Sequence, residues 1–418
     1  MTPEEARRWA EEARDEIVAL AQALIRTPSP NPPAREEVVA KVLQEKFRAA
    51  GLAAELVALG EGRANVVARL PGSRQAPALL YDGHLDTVPP GEGGAWRHAP
   101  YSGELEGGRL YGRGASDMKG GVAAQAMAAI LAHRAGLTPA GDLIVAATCG
   151  EETDSAGAHA FRRAGGLEGV GGVVIAEPSA NELFIAEKGA LWLEITTYGR
   201  TAHGSMPHLG VNAIWKMHKV LGALAHFRPS ADKHPLLGEG TVSLGTLEGG
   251  IKTNVVPDRA SATFDFRTVP GRPHEEIVTA VEDLLGRLRV DDPELKAEVK
   301  VIKNLPSVAT AADEPIVRLA RQVGLDLWGR DLLPQGVNYY TDAAVLVPEG
   351  QIPLLISGPG APTLAHQPEE HVEVEKLVEA TAFFLLFAAR WGSGINFPLF
   401  LSHLRKGSAP APPCPTGR

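Results

Sequence analysis

Short apolar runs alternate with helical stretches along most of the chain, and this alternation predicts an α/β fold. Five runs are mostly apolar over a length typical of buried strands: 64–70, 78–81, 142–148, 172–176 and 353–357. Helical stretches separate them, the clearest at 119–135, 156–165 and 374–391. We therefore expect a mixed sheet with helices on both faces.

The N-terminal segment has the signature of a helix start. Thr2 and Glu5 have the spacing of a capping box, and Pro3 suits the first helical position. Apolar residues recur from Trp9 to Ile25, which predicts one helix over this stretch. A second helix is expected at 34–50, where Gly51 ends it.

The stretch 190–302 follows a different order of elements. Its pattern predicts strand, helix, strand, strand, helix and strand, which is two βαβ-like halves joined by a long loop. We expect a four-stranded, ferredoxin-like α+β domain inserted into the larger α/β domain. The predicted boundaries are 1–189 and 303–391 for the two segments of the larger domain, 190–302 for the insert, and 392–418 for a Pro- and Ala-rich tail.

Charge argues against nucleic acid as a partner. The chain of 418 residues has 41 Lys and Arg against 50 Asp and Glu, for a net charge of −9, and its sequence pI is about 5.8. A phosphate-binding surface needs a positive field, and the sequence has no long basic run.

Cysteine content and apolar run length predict a cytoplasmic protein with no membrane partner. Cys149 and Cys414, the two cysteines, cannot form a disulfide framework. The N-terminal segment is charged and helical, unlike a signal peptide. The most apolar run, 380–389, is too short to span a bilayer.

Acidic and histidine residues follow several of the predicted strands or open a helix. In open α/β sheets, ligands gather beyond the carboxyl ends of the strands, so residues distant in sequence can converge there. The candidates are His84 with Asp86 two positions on, Asp117, the adjacent Glu151 and Glu152, Glu177, and His366.

Each candidate alone also has a simpler interpretation. His84 fits a hydrogen-bonded turn, Asp117 a helix cap, and the glutamate pair a solvated acidic loop. Glu177 fits a strand-end charge, and His366 a surface loop. Together, however, they supply two imidazoles and several carboxylates with no thiolate, which suits a pair of zinc, cobalt or manganese ions.

The motifs that carry these residues are specific when taken in order. GHLDTVP, GRGASDMKGG, CGEE, AEPS and GPG…AHQPEE stand at plausible spacing, and GRTAHGSMPHLGVNAI lies in the predicted insert. The chain thereby resembles the two-metal amidohydrolases and peptidases that include acetylornithine deacetylase, succinyl-diaminopimelate desuccinylase, aminoacylase and glutamate carboxypeptidase. The resemblance covers about residues 5–390.

The resemblance implies a role for each candidate. It implies two divalent ions, zinc being preferred and cobalt or manganese alternatives. One ion would be held by His84, Asp117 and Glu177, and the other by Glu152, His366 and the bridging Asp117. Asp86 would orient His84, and Glu151 would be the general base acting on a metal-bridged water. A cis peptide bond is expected after Asp117.

The resemblance also assigns residues in the insert, which it makes a lid and dimerisation domain. His203 would reach the active site of the other subunit of a homodimer and take part in catalysis. Asn254 would contact the substrate, and Arg267 would hold a substrate carboxylate. Two positions depart from the family pattern: Cys149, before the glutamate pair, and the segment 339–342, where a Gly- or Ser-rich turn is usual.

The resulting prediction is a hydrolase that cleaves the amide bond of a small N-acyl amino acid or diamino acid, as a deacetylase or desuccinylase does. A dipeptidase or carboxypeptidase with the same site is the alternative. A non-catalytic metal-binding dimer is a third, which the presence of Glu151, His203 and both histidine ligands disfavours.

Overall fold

The computed structural model describes residues 1–91, 93–229, 233–347 and 352–393. Residues 394–418 of the predicted tail, with Cys414, lie outside the described residues. Contacts divide the chain into two compact units: unit 1 is Met1–Leu183, Ala311–Pro334 and Ile352–Arg418, and unit 2 is Phe184–Thr310 and Gln335–Gln351.

The helices are α1 (Pro3–Glu12), α2 (Arg14–Ile25), α3 (Glu36–Ala49), α4 (Lys119–Arg134), α5 (Ala156–Arg163), α6 (Ala213–Leu224), α7 (His274–Asp291), α8 (Pro315–Trp328), α9 (Ala343–Leu346) and α10 (Val374–Arg390). The strands are β1 (Ala53–Gly60), β2 (Arg63–Leu70), β3 (Ala78–His84), β4 (Glu104–Glu106), β5 (Arg109–Tyr111), β6 (Leu143–Thr148), β7 (Val170–Ile175), β8 (Phe184–Glu187), β9 (Gly189–Tyr198), β10 (Thr241–Gly249), β11 (Arg259–Thr268), β12 (Lys296–Leu305), β13 (Val308–Ala309), β14 (Gln335–Val337), β15 (Leu354–Ile356) and β16 (His371–Glu373).

Unit 1 is built on a mixed sheet in the order β1-β2-β6-β3-β7-β15. The four strands from β6 to β15 are parallel, and β2 and β1 continue the sheet in antiparallel pairing. Every residue of β3 and β6 is buried, which explains why these strands are so apolar. Helices pack on the sheet, α4 against β3 and β6 and α3 against β1 and β2.

The N-terminal segment is two helices rather than the single one expected. The capping box is present, since Thr2 Oγ1 accepts from the Glu5 amide at 3.2 Å and Glu5 Oε2 accepts from the Thr2 amide at 2.7 Å. Ala13 leaves the helical conformation, with φ −92° and ψ 6°, and separates α1 from α2. No Gly or Pro marks this break, so the apolar periodicity runs through it.

Unit 2 contains a separate four-stranded antiparallel sheet in the order β10-β11-β9-β12. With α6 and α7 it forms the ferredoxin-like order of elements expected from the sequence. Its core lies on the helix side and includes Leu193, Met217, Phe264 and Val281. Because β8, β13 and β14 also belong to this unit, its limits are wider than the predicted 190–302 and include 335–351.

No helix among the described residues combines the length and the apolar character that crossing a membrane requires.

Candidate metal centre

The candidate ligands of unit 1 meet at one edge of its sheet. His84 is the last residue of β3, Glu151 and Glu152 follow β6, and Glu177 lies two residues beyond β7. These strands are parallel neighbours, so their carboxyl ends share an edge. Ligand atoms of His84, Glu151 and Glu177 all lie within 4.8 Å of one another.

Asp117 places its two carboxylate oxygens toward the two histidines. Oδ1 lies 3.2 Å from His84 Nε2, and Oδ2 lies 3.4 Å from His366 Nε2. Glu177 Oε1 is 3.7 Å from the same His84 nitrogen, and Glu152 Oε2 is 3.1 Å from the His366 nitrogen. The arrangement is a histidine and a carboxylate on each side of a shared Asp117. The peptide bond between Asp117 and Met118 is cis, as expected.

Asp86 lies beside His84 but contacts it in an unexpected way. His84 Nδ1 is 2.9 Å from the Asp86 backbone carbonyl, whereas the nearer carboxylate oxygen is 3.6 Å away. The buried carboxylate instead accepts the amides of Gly150, Glu151 and Glu152, at 2.9, 3.1 and 3.2 Å. Asp86 therefore fixes the turn that presents the glutamate pair.

The hydrogen bond to a carbonyl also determines which nitrogen of His84 carries a proton. A carbonyl only accepts, so Nδ1 is the donor. Nε2 then faces Asp117 and Glu177 with a lone pair when the ring is neutral. A proton or a metal ion has to lie between this nitrogen and the two carboxylates.

The carboxylates create a strongly negative potential at both histidines. Burial alone lowers the pKa of His84, but the Asp117 hydrogen bond and the Glu177 charge outweigh it and raise that pKa well above its usual range. Hydrogen bonds to Asp117 and Glu152 raise the pKa of His366 to about 10. Burial would raise the pKa of Asp117, but its bonds to both histidines hold it well below the usual range.

This donor set fits two divalent ions. Four acidic side chains and two imidazoles supply oxygen and nitrogen ligands, the set that zinc, cobalt and manganese accept. A second group, His84, Asp117 and Glu152, also has its ligand atoms within 4.8 Å. Since Asp117 offers one oxygen to each side, it is suited to bridge two ions.

The three candidate residues of unit 2 do not form one cluster. The His203 segment pairs with the Asn254 segment, through a bridge between His203 and Val255 and a 2.9 Å bond from the Gly204 amide to the Asn254 carbonyl. Both lie near the start of β11. Arg267 lies near the other end of that ten-residue strand, about 26 Å from its first residue at about 3.3 Å per residue.

Arg267 lies in an aromatic and charged setting that the sequence did not reveal. Its Nε donates to Asp265 at 3.1 Å, and its guanidinium lies 5.5 Å from the centre of the Tyr340 ring. Lys303 Nζ donates to the Tyr340 hydroxyl at 2.8 Å and lies 4.7 Å from the centre of the Trp192 ring. Tyr340 belongs to the segment that departs from the family pattern, and it brings two cations to one ring.

Comparison with known proteins identifies the family. The model of peptidase family M20/M25/M40 matches residues 80–390, which is most of the chain and includes every candidate ligand. The chain belongs to peptidase family M20/M25/M40. The predicted family relationship and the predicted hydrolytic enzyme acting on amide bonds are thus confirmed.

Two relatives carry names of deacylases. A probable succinyl-diaminopimelate desuccinylase of Staphylococcus epidermidis is 30% identical over 362 residues, covering 80% of this chain and 88% of the relative. The acetylornithine deacetylase of Myxococcus xanthus is 31% identical over 362 residues, covering 84% and 91%.

Solved structures share the fold. The YXEP protein of Bacillus subtilis, described as a dinuclear metal-binding peptidase of the M20 family, matches with a TM-score of 0.70 at 18% identity, covering 92% of this chain and all of that one. The predicted mixed α/β fold with an additional domain is confirmed. The protein is a metal-dependent hydrolase of this family.

Proposed function

We propose that this enzyme removes the acyl group from an N-acyl amino acid or diamino acid. The observation that carries the two-metal chemistry is the shared Asp117, whose two oxygens face the two histidines. The desuccinylase and deacetylase names of the two relatives support the substrate class. His84, Asp117 and Glu177 would hold one divalent ion, and Glu152, His366 and Asp117 the other, with zinc preferred. Bound there, the ions would polarise the scissile carbonyl and acidify water.

Glu151 is the residue we propose as general base. It is buried, it follows β6, and its backbone amide is fixed by Asp86 at 3.1 Å. From this position its carboxylate takes a proton from the attacking water and returns it to the leaving amine. Glu152 and Glu177 lie closest to the histidines, at 3.1 Å from His366 and 3.7 Å from His84, and we propose these two as the metal ligands.

The test is amine release from a panel of substrates by metal-free protein reloaded with zinc, cobalt or manganese. The panel holds acetylornithine, succinyl-diaminopimelate, N-acetyl and N-succinyl amino acids, and unblocked dipeptides. Metal-dependent turnover of a blocked substrate supports the proposal and identifies the acyl group. If none of the substrates is hydrolysed by protein with two ions bound, the proposal is contradicted.

A peptidase is the alternative, and the peptidase description of the Bacillus subtilis structure supports it. It uses the same ions and the same base. Turnover of unblocked dipeptides alone would establish it in place of deacylation.

The role of Glu151 has a test of its own. Glu151→Gln keeps the size of the side chain but removes the base, so kcat should fall by about 10²–10⁴-fold while both ions still bind. Glu55→Gln, on the exposed face of β1, is the matched control and should leave kcat unchanged. Loss of metal in Glu151→Gln would instead make Glu151 a ligand.

Arg267 is proposed to bind the substrate carboxylate, and Asn254 to contact the substrate. Asp265 binds Nε of Arg267, so the two Nη atoms of the guanidinium can still donate in parallel to a substrate carboxylate. Arg267→Met should raise KM more than it lowers kcat. Arg259→Met, on the same strand but at its other end, is the control and should leave KM unchanged.

We further propose a homodimer formed through unit 2. Among the described residues, β10 pairs only with β11, so its outer edge is open. Leu247 is 52% exposed on this strand, Ile251 beyond it is 84% exposed, and Trp215 on the adjacent α6 is 66% exposed. An open strand edge beside exposed apolar side chains is suited to pairing with a second copy.

Light scattering after size exclusion tests the dimer. Leu247→Lys combined with Trp215→Glu should give monomers. Val301→Lys, at a similarly exposed apolar position on the opposite edge strand β12, should stay dimeric. A monomeric wild-type protein would contradict the proposal.

A homodimer would allow His203 to act in the active site of the partner, which the separation of His203 from Arg267 favours. Glu151→Gln and His203→Ala should each be inactive alone. Co-expressed as mixed dimers, they should regain activity, because one site then has an intact Glu151 and the partner's intact histidine. No recovery in verified mixed dimers would place His203 in its own subunit's site. The cytoplasmic location expected from the sequence stays a prediction.

A further inference from the structure

Two charged residues from motifs quoted above have no role in the proposed chemistry. Arg113 belongs to the Gly-rich turn before Asp117, and Glu370 follows His366 in HQPEE. We propose that Arg113 and Glu370 are positioning residues that hold Asp117 and His366 at the separation needed to bind metal. We refer to the pair as the loop clamp. The inference rests on the proposed metal site.

Glu370 comes from the His366 loop and binds the backbone of the Asp117 loop. It is completely buried, and its Oε1 accepts the amides of Ser116 and Asp117, both at 2.9 Å. The amide it holds at Asp117 belongs to the residue that faces both histidines. Glu370 therefore fixes the backbone from which the shared carboxylate projects.

Arg113 makes the reciprocal contacts. It comes from the Asp117 loop and donates to backbone carbonyls of the other loop, that of Gln367 at 3.3 Å and that of His366 at 3.4 Å. His366 has a φ of 63°, a conformation that costs energy for a residue with a side chain, so its backbone needs support. Arg113 supplies that support at the residue that presents a ligand nitrogen.

The two charges also bind each other. Arg113 Nη1 lies 2.5 Å from Glu370 Oε2, with both side chains buried, and the guanidinium lies 5.2 Å from the centre of the Trp96 ring. Each member of the clamp therefore contacts its partner and the backbone of the opposite loop. Ser116 adds one more contact between the loops, donating from Oγ to the Ala361 carbonyl at 3.0 Å.

The energetics of a buried ion pair indicate that Arg113 and Glu370 serve to position the two loops more than to stabilise the fold. Removing two charges from water costs several kcal/mol, and a buried ion pair is often no better for stability than a packed apolar pair. The clamp nevertheless joins loops that are more than 250 residues apart in sequence. What it fixes is the distance between Asp117 and His366, on which one of the two ions would depend.

Metal binding by metal-free protein is the experiment that tests the clamp. The variants are Arg113→Met, Glu370→Gln and their combination, with Arg113→Lys retaining the charge. Arg390→Met is the matched control, because it breaks the Arg390–Asp326 ion pair elsewhere in unit 1. Affinities for Co²⁺ and Zn²⁺ are measured by competition with a chelator, alongside the cobalt absorption spectrum and urea unfolding.

We expect the clamp variants to lose about 10–100-fold in affinity for one ion, the usual effect of removing support behind a metal ligand. The double variant should bind metal about as tightly as the single variant with the lower affinity, because the two residues act together and their effects do not add. Arg113→Lys should recover part of the loss, and the cobalt spectrum should change in the variants that lose affinity. Arg390→Met should bind both ions as wild type does.

Three results would overturn the inference. One is wild-type affinity in both single variants. Another is an equal loss of affinity in Arg390→Met, which would trace the effect to general destabilisation. The third is lower urea stability with metal affinity unchanged, which would make the pair structural only. Failure of the wild-type protein to bind metal would instead contradict the proposed function, so the two failures are distinguishable.

Discussion

Replacing Asp86 by alanine should loosen the turn that carries Glu151 and Glu152. The carboxylate of Asp86 is completely buried and accepts three backbone amides, and a fourth bond comes from Asn31 Nδ2 at 3.1 Å. Alanine supplies no acceptor, so these donors are left buried without a partner. Such a donor costs about 1–3 kcal/mol.

The magnitude follows from the number of donors lost. Because the turn can relax, the costs do not add fully, and we expect a loss of about 3–6 kcal/mol in unfolding free energy. For a single amide of the turn, lowering the free energy of local opening by about 2 kcal/mol raises the opening equilibrium constant, and with it the exchange rate, by about 30-fold. Asp86→Asn keeps one acceptor oxygen and should lose about 1–2 kcal/mol.

Hydrogen exchange of the metal-free protein measures this opening directly. Peptides covering residues 149–155 should exchange at least about 30-fold faster in Asp86→Ala. Peptides from α10 should accelerate only as far as their exchange requires global unfolding. Asp154→Ala is the control, since that exposed carboxylate of the same turn pairs with Arg63 and contributes at most about 1 kcal/mol. Exchange within threefold of wild type in residues 149–155 would refute the proposed role of Asp86.

Three further predictions concern two buried residues and the metal site. Burial raises the pKa of Glu187 to about 8, so the folded state keeps its proton above the pH at which the unfolded chain loses it. Stability should therefore fall from pH 5 to pH 8, by up to about 4 kcal/mol, and urea unfolding of Glu187→Gln should lack this loss. Gly121→Ala would place a methyl group against the Ala176 carbonyl, next to Glu177, and should lower both the melting temperature and metal affinity; wild-type values would contradict this. Adding zinc to metal-free protein at 100 times the Kd should stabilise it by about 2.7 kcal/mol per site in thermal unfolding, and an unchanged transition would contradict metal binding.

The sequence predicted the central elements well, for a physical reason. Strands such as β3 and β6 are buried on both faces, so their apolar runs stand out from the surrounding chain. The polar residues that follow them had to meet at one edge once the strands were parallel. The ligand candidates could therefore be listed from the chain alone, although each also had a simpler interpretation.

The contacts that side chains make in turns could not be predicted from the sequence in this way. The family resemblance implied that Asp86 orients the ring of His84, two residues before it. β3 ends at His84, however, so the backbone carbonyl of Asp86 meets the ring and the carboxylate turns toward Gly150. Arg113 and Glu370 were missed because buried and solvated charges look alike in a sequence.

Acidic side chains serve this site in two distinct ways. Asp117, Glu152 and Glu177 approach the histidines, whereas Asp86 and Glu370 accept backbone amides of the turns that carry Glu151, Glu152 and Asp117. Substitutions in the two groups should therefore fail differently. Loss of a metal-facing carboxylate removes a contact with a histidine as well as a metal ligand, so it should weaken the loaded state more than the metal-free state. Loss of an amide-binding carboxylate leaves buried donors unpaired and should weaken both states. Comparing unfolding with and without metal would separate the two groups.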